Sequence, residues 1–238
     1  MAQVATVPKT HSRRFPNESK EYRKARERLL EAERELRDQV EEVAALRRKL
    51  PLGGELKEDY VFKEAAGDKT AHGVRLSELF ESGKDSLLIY SFMFPLKKGL
   101  NEPCPMCTSL IDGYNATVRN LRQRANFAVV APAPVERLRA FARERGWNDV
   151  RLFSAEGSTY LRDYQSEDEK GEPLPIMNVF HKKNGKIYHT WASELLYLGS
   201  GKPGQDGRHV DIVWPLWNLL DLTPEGRGAN WYPKLRYD

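Results

Sequence analysis

Between Asn17 and Leu50 apolar residues return every seven positions, at Tyr22, Leu29, Leu36, Val43 and Leu50, with Ala25, Ala32 and Leu46 three residues behind three of them. That spacing lays a narrow apolar stripe along one face of a helix. The stretch has no Pro or Gly and is dense in Glu, Arg, Lys, Ala and Leu, the strong helix formers. It predicts one long helix over 17–50, about 50 Å at ~1.5 Å per residue. Gln39 interrupts the stripe, so the heptad is imperfect. Two occupants suit such a face: the parent domain, with the helix folded back on it, or a second copy of the chain, the helix then being a homodimer arm. Residues 1–16 have the composition of a tail. Pro51, Gly53 and Gly54 end the helix and open a linker over 51–57.

From residue 58 the period changes. Short β-rich runs at Tyr60–Lys63, Ser86–Met93, Asn126–Ala131, Val150–Phe153, Met177–Lys182 and Lys186–Trp191 alternate with helical patterns at Leu76–Glu81, Cys104–Arg124 and Pro134–Arg145. This alternation predicts a mainly α/β sheet domain. Asn184-Gly185 between the last two runs is the strongest hairpin signal in the chain, so the sheet should end in an antiparallel pair. The polar stretch from Glu156 to Pro175, with Glu167, Asp168 and Glu169, predicts an exposed excursion before that hairpin. Beyond it, 196–238 reads as an extension with one helix. There Val210, Val213, Trp214, Trp217 and Leu220 have helical spacing, and Pro215 makes the helix start near it or kink at it. The loop Gly199–Gly207 contains Gly201-Lys202, but Pro203 stands where a phosphate-binding loop needs Ser or Thr, so no nucleotide site is expected.

Composition narrows the partners. The formal net charge is +4 in 238 residues, with 38 Lys+Arg against 34 Asp+Glu, far from the basic excess that phosphate-backbone binding leaves. No nucleic acid is expected, and the balanced charges of 17–50 read as a solvated face. The longest mostly apolar run, Leu87 to Pro95, is about half of the ~20 residues of a membrane span, so no membrane is expected either. The first residues lack the apolar stretch of a signal peptide, and Pro8 and Pro16 break what pattern they have. The expected location is cytoplasmic.

The two cysteines, Cys104 and Cys107, stand three apart in CPMC. In a reducing compartment that spacing points to catalysis, redox chemistry or metal rather than a structural bridge. A zinc site needs four ligands, and His11, His72, His181, His189 and His209 show no paired ligand spacing. Pro105 suits a first helical turn, where its missing N–H has no partner in any case. Cys104 then sits at a helix N-terminus, where free N–H groups and the helix dipole favour thiolate over thiol. Cys107, one turn further in, is placed to resolve a mixed disulfide, so Cys104 should attack and Cys107 release. Lys97 and Lys98, in the loop before the pair, and Asp112 and Glu102 are weaker candidates for tuning it.

These residues resemble a known superfamily. Strand, loop, C-P-x-C, long helix, then strand and helix, then a β-hairpin is the plan of the thioredoxin superfamily. PIMNVFHKKNGKIYHTW is similar to its segment in which a cis-proline opens the penultimate strand. The resemblance implies an α/β, thioredoxin-like three-layer fold over 58–195, a mixed β-sheet flanked by helices, with the long N-terminal helix and the C-terminal extension added. It also implies that Pro175 is the cis-proline and that Pro175 and Ile176, with Pro105 and Met106, shape the substrate groove. GVRLSELFESGKDSLLIYSFMF and ANFAVVAPAPVERLRAFARERGW are similar to the peroxiredoxin branch. The whole chain most resembles a bacterial family known only as domain of unknown function 899.

The activity this implies is thiol–disulfide exchange through Cys104 and Cys107. Its partners would be a protein or small-molecule thiol or disulfide substrate and an external dithiol or glutathione, and it needs no cofactor. Two departures limit the resemblance. Pro103 stands where thioredoxins have tryptophan. Asn101 stands where peroxiredoxins place the Thr or Ser that aligns peroxide, which makes a thiol peroxidase the weaker alternative. A second alternative is a non-catalytic binding or assembly protein on the same scaffold. Trp191, Trp214, Trp217, Trp231 and Tyr197 read as core or extension packing before they read as a substrate cleft.

Overall fold

The computed structural model describes residues 11–65, 72–198, 212–228 and 231–237. The glycine-rich loop 199–207, His209 and Val210 lie outside them. The chain divides into two units, Met1–Pro51 and Leu52–Asp238. In the first, helix α1 runs Lys20–Lys49, close to the predicted 17–50. The Ser19 side chain caps it by accepting the Tyr22 N–H at 3.0 Å, and Arg23 pairs with Glu18.

The second unit is built on one seven-stranded mixed sheet. Its strands are β1 (Val61–Glu64), β2 (Gly73–Arg75), β3 (Ser86–Ser91), β4 (Asn126–Ala131), β5 (Leu152–Ser154), β6 (Met177–Lys183) and β7 (Lys186–Ala192), in spatial order β2-β1-β5-β4-β3-β6-β7. β5, β4 and β3 are parallel, and the other pairs are antiparallel. The helices are α2 (Pro105–Leu121), α3 (Val135–Arg145), the short α4 (Tyr160–Asp163) and α5 (Pro215–Leu220), which starts at Pro215 as its position required. All six sequence-predicted strands are present, and the hairpin turn falls on Asn184 and Gly185, both at positive φ, 52° and 79°. β2 had no sequence signal; three residues are too few for a period.

Alternation along the strands divides the core into two layers. Phe127, Val129 and Ala131 of β4, with Tyr90 of β3, join Leu110, Ile111, Leu138, Trp214 and Trp217 on one face. Ala128 and Val130, with Leu87 and Ile89, join Leu76, Tyr160, Leu161 and Phe180 on the other. Both faces of β4 are covered, which is why its run is apolar without a break from Phe127 to Ala131. The result is the three-layer α/β arrangement of the thioredoxin-like plan.

Two sequence expectations change. The polar excursion is not surface throughout: Tyr160 and Leu161 are buried, and Tyr164 packs against Phe180 with ring centroids 4.9 Å apart. Three apolar residues spaced over one turn outweigh the acidic cluster that follows them. Residues 53–56 of the expected linker run beside the edge strand β7, with Gly53 N–H to the His189 carbonyl at 3.1 Å and Leu56 N–H to the Ile187 carbonyl at 2.7 Å. A Cβ on Gly53 would lie 2.3 Å from that carbonyl oxygen, so only glycine fits.

Candidate active site

β3 leaves the sheet at Ser91, and twelve residues separate it from the first cysteine. Two backbone bonds close this excursion: Leu96 N–H to the Glu102 carbonyl at 2.7 Å and Cys104 N–H to the Met93 carbonyl at 2.9 Å. Arg137 of α3 pins its far side by bonding the Asn101 carbonyl and lying 4.9 Å above the Phe94 ring. The loop therefore returns Cys104 to the end of the strand it started from.

Cys104 is the N-cap of α2. Its carbonyl accepts both the Thr108 N–H and the Thr108 hydroxyl at 2.9 Å, and its Sγ accepts the Cys107 N–H at 3.5 Å. Both thiols are free and buried, Cys104 at 7% exposure and Cys107 at 2%. The two sulfurs ionise unequally. Cys104 is lowered to about 7, first by the hydrogen bond from the Cys107 thiol and then by the N–H groups of Cys107 and Met106, against the opposing effect of burial. Cys107 is pushed well above the usual thiol range, first by burial and then by Cys104. No lysine contributes to the shift at Cys104; Lys97 and Lys98 are exposed in the loop.

Pro105 and Met106 are half-buried in the first turn, and Met106 packs on the same cluster as the cysteines. The other two predicted contacts behave differently. Ile176 is buried, its carbonyl accepts the Ser91 N–H at 2.8 Å, and its side chain lines a separate cavity with Tyr164, Asn178 and His189. Pro175 is half-buried, and its peptide bond corrects the expectation of a cis-proline: the cis bond among the described residues is Phe94–Pro95. Leu174–Pro175 keeps the trans form, which X-Pro bonds favour by about 0.5–1 kcal/mol. The entry to β6 is set there by Leu174 N–H to the Ser166 carbonyl at 2.8 Å. It is Met177, two residues on, that reaches the cysteine cluster.

Sequence reasoning missed Tyr90. It sits near the end of an apolar strand and looks like core, and it shares one buried cluster with both cysteines. Only the alternation of β3 together with the placement of α2 brings the two together. Beside this cluster lies an apolar cavity of about 280 Å³, walled by Leu88, Phe127, Met177 and Trp191 and bordered by Tyr114, whose hydroxyl donates to the Val213 carbonyl at 2.9 Å. Trp214 and Trp217 are core, as expected, with centroids 4.7 Å apart. Asp112 is occupied elsewhere, bound to Arg145 and to Trp147 Nε1. Among the described residues no group of three or more His, Cys, Asp or Glu is gathered for a metal, and no helix is long and apolar enough to cross a membrane.

Comparison with known proteins gives a family but no activity. The model of the family described as "Bacterial protein of unknown function (DUF899)" matches residues 12–237. No curated protein matches. Among solved structures the chain is similar to a Xanthomonas campestris peroxiredoxin Q, at 15% identity over 67% of this chain and 89% of that one, TM-score 0.44. It is similar too to the peroxidoxin BcpB from Mycobacterium tuberculosis, at 16% identity over 69% and 94%, TM-score 0.44.

Proposed function

Taking as premise that the chain belongs to the DUF899 family, we propose that it is a thiol–disulfide oxidoreductase working through Cys104 and Cys107. One observation carries this: two adjacent thiols at the start of α2 are driven apart in acidity, Cys104 to about 7 and Cys107 well above the usual range. An inert pair needs no such difference, whereas exchange chemistry needs a ready nucleophile and a second thiol held in reserve.

The cycle starts with the Cys104 thiolate attacking a substrate disulfide. A mixed disulfide forms and one substrate thiolate leaves. Cys107 then gives up its proton to that departing thiolate or to water and attacks Cys104 Sγ, releasing the second substrate sulfur. The pair has lost two electrons, and the substrate disulfide has gained them. An external dithiol or glutathione restores the reduced form, and the chemistry needs no organic cofactor. Pro105, Met106 and Pro175, all half-buried, are the proposed contacts for the substrate backbone; Ile176 serves through its backbone, since its side chain points into a different cavity.

A glutathione redox titration of the full chain, trapping thiols by alkylation and weighing the products, tests the reading. A reversible two-electron transition between about −300 and −120 mV supports it. Two thiols that stay reduced throughout overturn it in favour of a binding scaffold. The roles are checked separately: Cys107→Ser should accumulate a mixed disulfide on Cys104, and Cys104→Ser should be inactive, whereas equal residual activity in both removes the assignment.

A further inference from the structure

Helix α1 is the element that the thiol chemistry leaves unused. Its 30 residues carry one apolar stripe, and among the described residues of its own unit nothing covers that stripe. Tyr22, Leu29, Leu36, Leu46 and Leu50 are 50–64% exposed. A helix in water draws most of its stability from packing its apolar face, so α1 is short of a partner.

The charges beside the stripe say which partner suits it. With Tyr22 and Leu29 as heptad position a, the flanking positions e and g carry the charges that set partner and direction in a coiled coil. When two copies of α1 lie parallel and in register, each g residue faces the e residue five places on in the other copy. Glu21 then faces Arg26, Arg28 faces Glu33 and Glu42 faces Arg47, and the remaining pair, Glu35 with Val40, is neutral. Every charged pair is of opposite sign, and symmetry makes each occur twice. Run antiparallel with Tyr22 level with Leu46, the same helix sets Glu33 and Glu35 each against its own copy. In the single chain Arg26 bonds Glu33 at 3.2 Å along one edge of the helix; a second copy offers each its own partner, Glu21 and Arg28.

Gln39 supplies the register. It stands at a d position, where an apolar neighbour would leave its amide unpaired, but in register it faces the same amide of the other copy, which both donates and accepts.

We propose that α1 pairs with α1 of a second copy of this chain as a parallel, in-register, two-stranded coiled coil, which makes the protein a homodimer joined through its N-terminal helix. The seam is modest, because Ala25 and Ala32 add little apolar area, so the e and g charges decide partner and direction. Pairing through α1 is independent of what Cys104 and Cys107 do.

Sedimentation equilibrium of the full chain, kept reduced so that no intermolecular disulfide contributes, tests this with two charge reversals, Glu42→Lys and Arg47→Glu. Both positions are exposed on the helix, so neither change threatens folding. Either reversal alone sets like charges together at both Glu42–Arg47 contacts and should weaken the homodimer by about 10- to 30-fold. Mixed in equal amounts, the two variants bring opposite charges together again at both contacts, and the mixture should regain the wild-type affinity. A wild-type chain that stays monomeric throughout the concentration series overturns the proposal. So does a dimer whose affinity neither reversal changes, since it uses another surface, and so does a mixture no tighter than the separate variants, since its helices are not parallel.

Discussion

The backbone N–H of Cys107 lies 3.5 Å from Sγ of Cys104, so the sulfur of Cys104 accepts from the backbone of the very residue it is paired with. The thiol of Cys107 is the largest influence holding Cys104 at about 7, and the N–H is a smaller one that no side-chain substitution removes.

That division predicts the pH dependence of alkylation. Reaction of the wild-type chain with iodoacetamide should rise with a midpoint near pH 7 at Cys104, with Cys107 silent over the same range. In Cys107→Ala the midpoint should climb toward the ordinary thiol value of 9, without reaching it because the backbone donors stay. Peptide mass mapping of the alkylated site gives both curves; a midpoint unmoved by the substitution would show that the helix terminus alone does the work.

Asp112 ties the second turn of α2 to the end of α3. Its carboxylate accepts Trp147 Nε1–H at 2.8 Å and pairs with Arg145. Trp147 is buried, so removing the acceptor strands a donor. Asp112→Ala should cost about 1–3 kcal/mol, and Asp112→Asn, which keeps an acceptor oxygen and loses only a partly exposed ion pair, about 1 kcal/mol or less. Urea unfolding should rank them in that order with unchanged slope, and equal losses would mean that charge rather than the indole bond matters.

His189, on the face of the sheet away from the cysteines, donates through Nε2 to the Asn178 side chain at 2.9 Å and is held below its usual 6.5 by burial, with Glu194 opposing. A histidine depressed in the folded state binds its proton more readily when unfolded. Its contribution is therefore intact above pH 6.5 and is lost as pH falls through the folded value. The urea midpoint should drop on going from pH 7.5 to 5.5, and His189→Gln, which can still donate, should show a smaller drop. Identical acid slopes in the two proteins would remove His189 as a source of the effect.

Much of the fold was legible because it depends on neighbours in sequence. Pro105 placed the start of α2 and hence Cys104 at its N-cap; Asn184 and Gly185 placed the hairpin; the β-rich run 126–131 marked a strand. Tyr160 was not legible, because a polar stretch hides one buried turn, and neither was the pairing of residues 53–56 with β7, which needs a strand more than 130 positions away. The site divides the same way. The unequal roles proposed for Cys104 and Cys107 rest on their positions on one helix, a local matter of free N–H groups and one turn of rise.

What only the tertiary structure decided is everything that crosses between strands and helices. The Phe94–Pro95 bond, rather than the one before Pro175, is cis. Ile176 faces a cavity on the other side of the sheet, while Met177 meets the cysteines. Tyr90, seventeen residues before Cys107 in sequence, is brought into one buried cluster with it. The physical reason is that a strand gives each residue a face by strict alternation, but which helix lies over that face is set by packing of the whole sheet, and no local pattern carries that information.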